Sequence, residues 1–307
     1  MFNEISSVLY ENRYCSQDKF DIAICGGHVN RGGTNEVIEL KGPDFKTFTE
    51  LSPMLTHRYL CKTAVIDSDI YVIGGYGINA GNVYSSEIYS KKTNQWKNQI
   101  PLSDKRIYFS VCSFMKYVYV VGGYLGDYDY KKGCFKYDKQ HEKWTQIADL
   151  NKERCSSGCT VFEGKIVATG GHNYSGRIKS VESYDHYENK WISLSDMVEW
   201  KIKHSAVNMG NKLLVIDGER CSTSNEVYDN ISRKFIVLNL ERNCTQRGVL
   251  SRKSLGISNK IYIFCSYTFN YKIVMYVYNV DKNKWNSEEI VITDNLCPSA
   301  FQKYSKT

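Results

Sequence analysis

The sequence predicts an all-β fold: a six-bladed β-propeller of four-stranded antiparallel blades. Two recurrences predict it. A glycine doublet closes a short apolar run in "DIAICGGHV", "IYVIGGYG", "VYVVGGYLG" and "KIVATGGHN". Its second glycines, Gly27, Gly75, Gly123 and Gly171, stand 48 residues apart each time. A tyrosine is also followed seven residues later by an indole, at Tyr89/Trp96, Tyr137/Trp144, Tyr184/Trp191 and Tyr278/Trp285. A fixed period of this size marks one supersecondary unit used repeatedly. Worn copies extend it: Gly218 in "LLVIDGER", Cys265-Ser266 in "IYIFCSYT", and the pairs Tyr228/Phe235 and Ile38/Phe45.

The six repeats span about 21–57, 58–105, 106–153, 154–200, 201–248 and 249–290, after a short lead segment, 1–20. Each reads as four strands. In the second, "KTAVID" is the first strand and "IYVIGG" the second. "SSEIYS" is the third, and the run from Trp96 through "NQIPL" is the fourth. Short strands rich in Val, Ile and Tyr, separated by turns, carry the all-β signal. The recurring Tyr and Trp fill the faces between blades, since their rings bury much area while OH and NH find partners. Glycine inside a strand is costly unless the backbone needs it. The doublets Gly26-Gly27, Gly74-Gly75, Gly122-Gly123 and Gly170-Gly171 are therefore expected where the second strand turns sharply and blades crowd together.

The doublet, the glutamate two before the tyrosine position (Glu36, Glu87, Glu182, Glu226) and the later Trp resemble the kelch repeat. The resemblance covers nearly the whole chain and is closest to the propellers of kelch-like proteins. WD repeats fit less well: their period is roughly 40–45 residues, and the chain has no Trp-Asp dipeptide.

The first blade lacks a first strand where the ruler places it, because "YCSQDK" is too polar. The segment Pro298–Tyr304 is therefore expected to fold back as the closing strand, leaving no edge in the ring.

Composition bounds the function. There is no signal-peptide pattern and no apolar run of the roughly 20 residues a membrane span needs. Eleven scattered cysteines read as reduced thiols of a cytoplasmic or nuclear protein, with Cys221 a candidate redox sensor. The net charge of +7 gathers in the hairpins before the fourth strands, among them Lys91, Lys92, Lys139, Lys143, Lys190 and Lys234. These read as solvated turns or as a basic face for acidic partners or actin. Nucleic-acid binding is not expected, since no recognition module accompanies the charge. Histidine and cysteine spacings give no zinc motif, Cys155-x-x-x-Cys159 included, and there is no nucleophile elbow. The expectation is no enzyme, no cofactor and no metal.

Strand parity selects a face. The chain leaves strand two and strand four of a four-stranded antiparallel blade on the same side. The residues after each doublet, His28, Tyr76, Tyr124, His172, Glu219 and Tyr267, should therefore ring one mouth of the channel. The residues opening each first strand, Leu60, Tyr108, Ser156 and Lys203, should join them, with Ser251 aligned less securely. Arg58, Arg106 and Arg154 are expected just outside, with Lys201 in the equivalent place. Aromatics supply rigid contact area and arginines charge-assisted hydrogen bonds, so this ring suits peptide recognition. Trp200 fits no repeat landmark and is either a packed loop anchor or an exposed contact on the same face.

The resemblance implies a monomeric interaction module that captures substrates for cullin-based ubiquitin ligases, with post-doublet and strand-opening residues lining the pocket. An actin-binding propeller is the alternative. The BTB and BACK domains that recruit the ligase precede the propeller in that family, and only about 20 residues precede this one. The chain is thus expected to be a fragment of a longer product, or to bind without recruiting, even as a competitor of full-length relatives.

Overall fold

The computed structural model describes residues 5–10, 21–29, 32–42, 45, 47–77, 81–216, 218, 224–238, 249–257, 260–267, 273–279 and 284–292. Among them run six four-stranded antiparallel sheets. The first holds Ile5–Tyr10, Asp21–Val29, Gly32–Lys41 and Thr47–Leu51; the second Lys62–Ile66, Asp69–Ile73, Ser86–Ser90 and Gln95–Gln99. The third holds Ser110–Phe114, Tyr117–Val121, Cys134–Asp138 and Lys143–Ile147; the fourth Gly158–Phe162, Lys165–Thr169, Val181–Asp185 and Lys190–Ser193. The fifth holds Ser205–Met209, Lys212–Ile216, Asn225–Asp229 and Lys234–Leu238; the sixth Val249–Ile257, Lys260–Tyr267, Ile273–Asn279 and Lys284–Ile292. The first strand of each sheet lies beside the first strand of the next, and that of the sixth beside that of the first. No helix among the described residues is long and apolar enough to cross a membrane.

The expected fold, a six-bladed ring closed by a C-terminal strand, needs correction. The strand that completes the first sheet comes from the N-terminal side: Ile5–Tyr10 pairs antiparallel with Asp21–Gly27, from Ile5↔Gly27 to Tyr10↔Asp21. The supposed lead segment thus contains a blade strand, and residues 298–304 lie outside the described residues. The error has a physical cause. In the second to fifth sheets a two-residue turn joins the first two strands. Asp67-Ser68 is one such turn, with both residues at positive φ (48° and 75°), the geometry that matches strand twist. In the first sheet residues 11–20 separate the two strands, so a fixed ruler points at the polar run "YCSQDK" instead of at "ISSVLY".

Five apolar layers fill the spaces between sheets among the described side chains. Cys25, Val37, Val72, Tyr89 and Trp96 lie between the first and second sheets, and Ile73, Phe109, Val118 and Tyr137 between the second and third. Val121, Ile166 and Trp191 follow between the third and fourth, Leu213, Tyr228 and Phe235 between the fourth and fifth. Leu214, Ile261 and Tyr278 lie between the fifth and sixth. The Tyr–Trp rings meet at a tilt, with centroids 5.3 Å (Tyr89/Trp96), 5.2 Å (Tyr137/Trp144) and 5.3 Å (Tyr184/Trp191) apart, and Tyr228/Phe235 meet edge-on at 5.2 Å. Each indole also donates across the gap to the chain leaving the preceding sheet. Trp96 Nε1 reaches Ser52 O at 2.6 Å, Trp144 reaches Ile100 O at 3.0 Å, and Trp191 reaches Ala148 O at 2.9 Å. The ring therefore both fills the layer and ties one blade to the next. Trp285 stands in the last strand of the sixth sheet, opposite Tyr278.

The doublets sit where a neighbouring backbone arrives. Gly122 has φ 63°, and a Cβ there would lie 2.3 Å from Arg154 O of the next sheet. Gly123 N–H donates to that same carbonyl at 2.9 Å. The pattern repeats from Gly27 to Arg58 O (3.2 Å) and from Gly171 to Lys201 O (2.8 Å). Glycine is required because no side chain fits between the two strands of backbone.

Two predictions follow from this packing. Trp96→Ala and Trp191→Ala each remove a buried ring and lower stability by about 3–5 kcal/mol in chemical denaturation, the range for large-to-small changes at buried aromatics; Trp144, only half-buried, costs less. Deleting residues 1–10 strips the inner strand from the first sheet. The shortened chain should melt well below the full one, and an unchanged melting temperature would show that Ile5–Tyr10 does not close the ring.

Candidate functional site

The structure moves the three arginines from the candidate binding set into the interior. Arg58, Arg106 and Arg154 are 0%, 2% and 0% exposed, and Lys201 is 0% exposed. Each turns back into its own sheet. Arg154 donates to Gly170 O and Ser180 O, both at 2.9 Å, and to Glu182 Oε1 at 2.5 Å. Arg58 repeats this with Gly74 O (3.0 Å), Ser85 O (2.8 Å) and Glu87. Lys201 takes the place in the fifth sheet, with Ser224 O at 2.5 Å and Glu226 at 3.6 Å. The expectation that these cations contact a ligand is corrected: charge this deeply buried stays only when paired and hydrogen-bonded, and the pairs here are internal.

This also explains three of the four recurring glutamates, Glu87, Glu182 and Glu226. Glu182 accepts from Asn151 N at 2.7 Å and Lys152 N at 3.2 Å, the turn that carries the chain in from the third sheet. Glu87 accepts from Leu55 N (2.7 Å), and Glu226 from Val198 N (2.7 Å) and Glu199 N (3.1 Å). The third sheet has Phe135 in the glutamate's place. There Arg106 lies 4.9 Å over the Phe135 ring and pairs with Asp104, two residues upstream. Burial pulls the Arg154 guanidinium below its usual value, and Glu182 pulls it back up.

With Arg58, Arg106, Arg154 and Lys201 withdrawn, the mouth over the second to fourth sheets is mainly aromatic. In the second to fourth sheets the post-doublet residue pairs in the backbone with the residue just before the strand opening. Tyr76 exchanges hydrogen bonds with Tyr59 (2.8 and 2.9 Å), Tyr124 with Ile107 (both 2.8 Å) and His172 with Cys155 (both 3.0 Å). The two sets expected to share a face do meet within each of these sheets. The strand-opening residues Leu60, Tyr108, Ser156 and Lys203 all have left-handed φ, between 52° and 57°. Two bonds link them around the ring, Ser156 N to Tyr108 O (2.7 Å) and Lys203 N to Ser156 O (2.8 Å). A rigid backbone thus presents the side chains, half-buried for Leu60, Tyr108 and Ser156 and exposed for Lys203.

The rings form two short arcs. Tyr76 lies 5.6 Å from Tyr59 and 6.4 Å from Tyr108; Tyr130 lies 4.9 Å from Tyr124 and 5.6 Å, edge-on, from His172. Burial, with the Tyr108 hydroxyl beside it, pushes the Tyr76 phenol up to about 12, so it stays neutral at ordinary pH. Cys155 Sγ approaches His172 Nε2 at 3.3 Å, yet Cys155 is 1% exposed and burial pushes its thiol up to about 12. A reactive cysteine needs the opposite, an accessible thiolate.

Sequence reasoning missed Tyr59, Tyr84 and Tyr130. The dense "YLGDYDY" was a signal for Tyr130, but only the turn at Asp127-Tyr128 lays it back on Tyr124. Trp200 is a half-buried anchor, with the Arg177 guanidinium 4.1 Å over its ring. His28 pairs with Gly33, Tyr267 with Val249 and Ser251 with Ser266 in their ladders. Glu219 and Cys221 lie outside the described residues. Lysines of the basic hairpins serve ion pairs, Lys91 with Glu39 at 2.8 Å and Lys139 with Asp69 at 3.0 Å.

The Kelch motif matches residues 57–99, 105–151 and 153–198. Kelch-like protein 36 of Bos taurus is 25% identical over 179 residues, which cover 56% of this chain and 29% of that protein. Kelch-like protein 40 of Xenopus tropicalis is 28% identical over 178 residues, 57% of this chain and 29% of that protein. Kelch-like protein 23 of Homo sapiens is 27% identical over 247 residues, 77% of this chain and 41% of that protein. The chain thus spans less than half the length of these curated relatives. A solved structure titled "Structure of YjhT" superposes with a TM-score of 0.68 at 16% identity, covering 92% of this chain and 96% of that one. That likeness concerns the fold alone.

The internal pairs predict a specific stability pattern. Arg154→Met leaves Glu182 buried without its cation and should cost about 3–5 kcal/mol. Adding Glu182→Gln removes the stranded charge and should recover part of that loss in urea unfolding. Wild-type stability for Arg154→Met would mean that this arginine is not a structural cation.

Proposed function

We propose, from the premise that this chain is a kelch-repeat β-propeller, that it is a non-enzymatic protein-interaction module that captures partners at the aromatic mouth. The observation that carries the reading is the gathering of Tyr59, Tyr76, Tyr108, Tyr124, Tyr130 and His172 around the openings of the second to fourth sheets. Strand pairing does not require these rings, since the interior layers are filled by others. Loops held on a rigid scaffold commonly carry function, and large aromatics are the usual anchors of an interface. The finer form of the proposal is substrate recognition of the kind used by adaptors of cullin-based ubiquitin ligases, as the resemblance to kelch-like proteins implies. The actin-binding alternative draws less support, because hairpin lysines such as Lys91 and Lys139 are engaged with carboxylates of the first and second sheets.

The test compares wild type with a Tyr76→Ala/Tyr124→Ala/Tyr267→Ala variant in partner capture from cell extract, with thermal melts of both. Truncating a central anchor typically costs about 2 kcal/mol or more in binding, so captured partners should be lost. Stability should change by only about 1 kcal/mol or less, since Tyr76 and Tyr124 belong to none of the described blade layers. Retention of the same partners by a folded variant would place the interaction surface elsewhere.

A further inference from the structure

The fate of the arginines bears on what the mouth recognises. The inference rests on the reading of the mouth as a partner site and concerns its sector on the second and third sheets. Tyr59, Tyr76, Tyr84, Tyr108, Tyr124 and Tyr130 gather there. We propose that this sector takes a cationic side chain of the partner, an arginine or a lysine, against its tyrosine faces, with Asp127 and the Tyr128 ring at its outer edge.

The cations of the sector already have occupations. Arg58 and Arg106 are buried on carbonyls and carboxylates of their own sheets. Lys131 pairs with Asp129 at 2.7 Å and lies 3.9 Å from Asp104. Lys62, half-buried at the start of its strand, has interactions of its own. A carboxylate arriving here would have to draw one of these from its partner, or Lys105 from its place 5.3 Å over the Tyr84 ring. The phenols act on one another instead. Besides burial, the groups raising Tyr76 are Tyr108, Tyr84 and Tyr124. Neutral phenols offer a negative ring face and an acceptor oxygen, the two features a guanidinium or ammonium uses.

The protein itself shows the chemistry on this face. Lys105 Nζ stands 5.3 Å over the Tyr84 ring, and Arg177 4.1 Å over Trp200 in the loop before the fifth sheet. The loop tip of the third sheet adds an independent observation. Asp127 and Tyr128 both adopt left-handed φ, 48° and 63°, in a turn closed by Asp129 N to Gly126 O at 2.8 Å. The loops of the second, third and fourth sheets each carry a positive-φ glycine, Gly81, Gly126 or Gly176, where a Cβ would meet nothing within 4 Å, and the third adds Asp127 and Tyr128 at positive φ beside it. Holding a tyrosine in this conformation is unfavourable, and here it leaves the ring 82% exposed beside an exposed carboxylate. Strain of this kind collects at recognition sites. The formal charge of +7 opposes general attraction of a cation, so binding of one reports local complementarity.

The test titrates the full chain with three capped nonapeptides of Gly and Ser that differ at two central positions, carrying Arg, Glu or Pro. The readout is saturation-transfer and tyrosine-ring NMR at physiological salt. The Arg peptide should bind, with the Glu and Pro peptides at least tenfold weaker. Tyr76→Leu and Tyr128→Leu should each weaken the Arg peptide about two- to fivefold, the size of an exposed cation–π contact, while Tyr76→Phe retains it. Tyr128 is exposed, so its variant keeps the test valid if Tyr76→Leu lowers the melting temperature. Equal or tighter binding of the Glu or Pro peptide, no binding of any of the three, or Arg binding unaffected in both leucine variants overturns the proposal. None of these outcomes decides whether the mouth is a partner site, which the capture experiment with the triple variant tests separately.

Discussion

Most of what this ring does depends on a buried cation and the glutamate that faces it. The Arg or Lys stands just before a first strand, and the Glu lies in the third strand of the same sheet. Between them they hold the chain that crosses from one sheet to the next, because the carboxylate also accepts from the amides of that crossing turn. The cation donates to the carbonyl of the first doublet glycine, Gly74, Gly122 or Gly170. In Arg58, Arg154 and Lys201 its own carbonyl receives the second glycine of the preceding sheet. Doublet, cation and glutamate are thus one device. A lone buried charge would be strongly unfavourable, and a buried pair gains little net stability over apolar residues. Its contribution here is geometric, fixing how neighbouring sheets meet.

The third sheet shows how far the device bends. With Phe135 in the glutamate position, the guanidinium of Arg106 keeps its two carbonyls, takes its charge partner from Asp104 and rests on the phenyl face. Asp104 is more open than Glu87 or Glu182, and Lys131 approaches it. The third sheet therefore leaves its compensating carboxylate partly open to solvent. The consequence for function is direct: the arginines that look available for a ligand in the sequence are occupied by the scaffold, and the mouth of the second to fourth sheets is left mainly to aromatic rings.

Away from the mouth, the indoles join sheet to sheet with one hydrogen bond each, and the hairpin beneath them repeats a second motif. Asn94 and Asn189 sit at left-handed φ, accept from the Tyr89 and Tyr184 hydroxyls at 2.9 and 2.8 Å, and accept again from an amide of the preceding sheet. A tyrosine followed seven residues later by tryptophan is therefore the visible part of a longer chain of contacts.

The sequence by itself determined the repeat, the four-stranded unit and the pairing of aromatic rings, because a structural period must reappear as a chemical period along the chain. Local geometry was legible too: the glycine doublets mark a crowded backbone, and parity brought Tyr76, Tyr124 and His172 to the strand openings. Tertiary structure decided what periodicity does not encode. A closing strand has no fixed distance from its partner, so Ile5–Tyr10 escaped a ruler set by two-residue turns. The direction in which a long side chain folds is not written in its spacing, so Arg58, Arg106 and Arg154 read as contacts until their carboxylate and carbonyl partners were in place. Tyr130 reached the mouth through a single turn. In each case the deciding partner lies far along the chain or in an irregular loop, where only the assembled sheets bring it within hydrogen-bond or ring-contact distance.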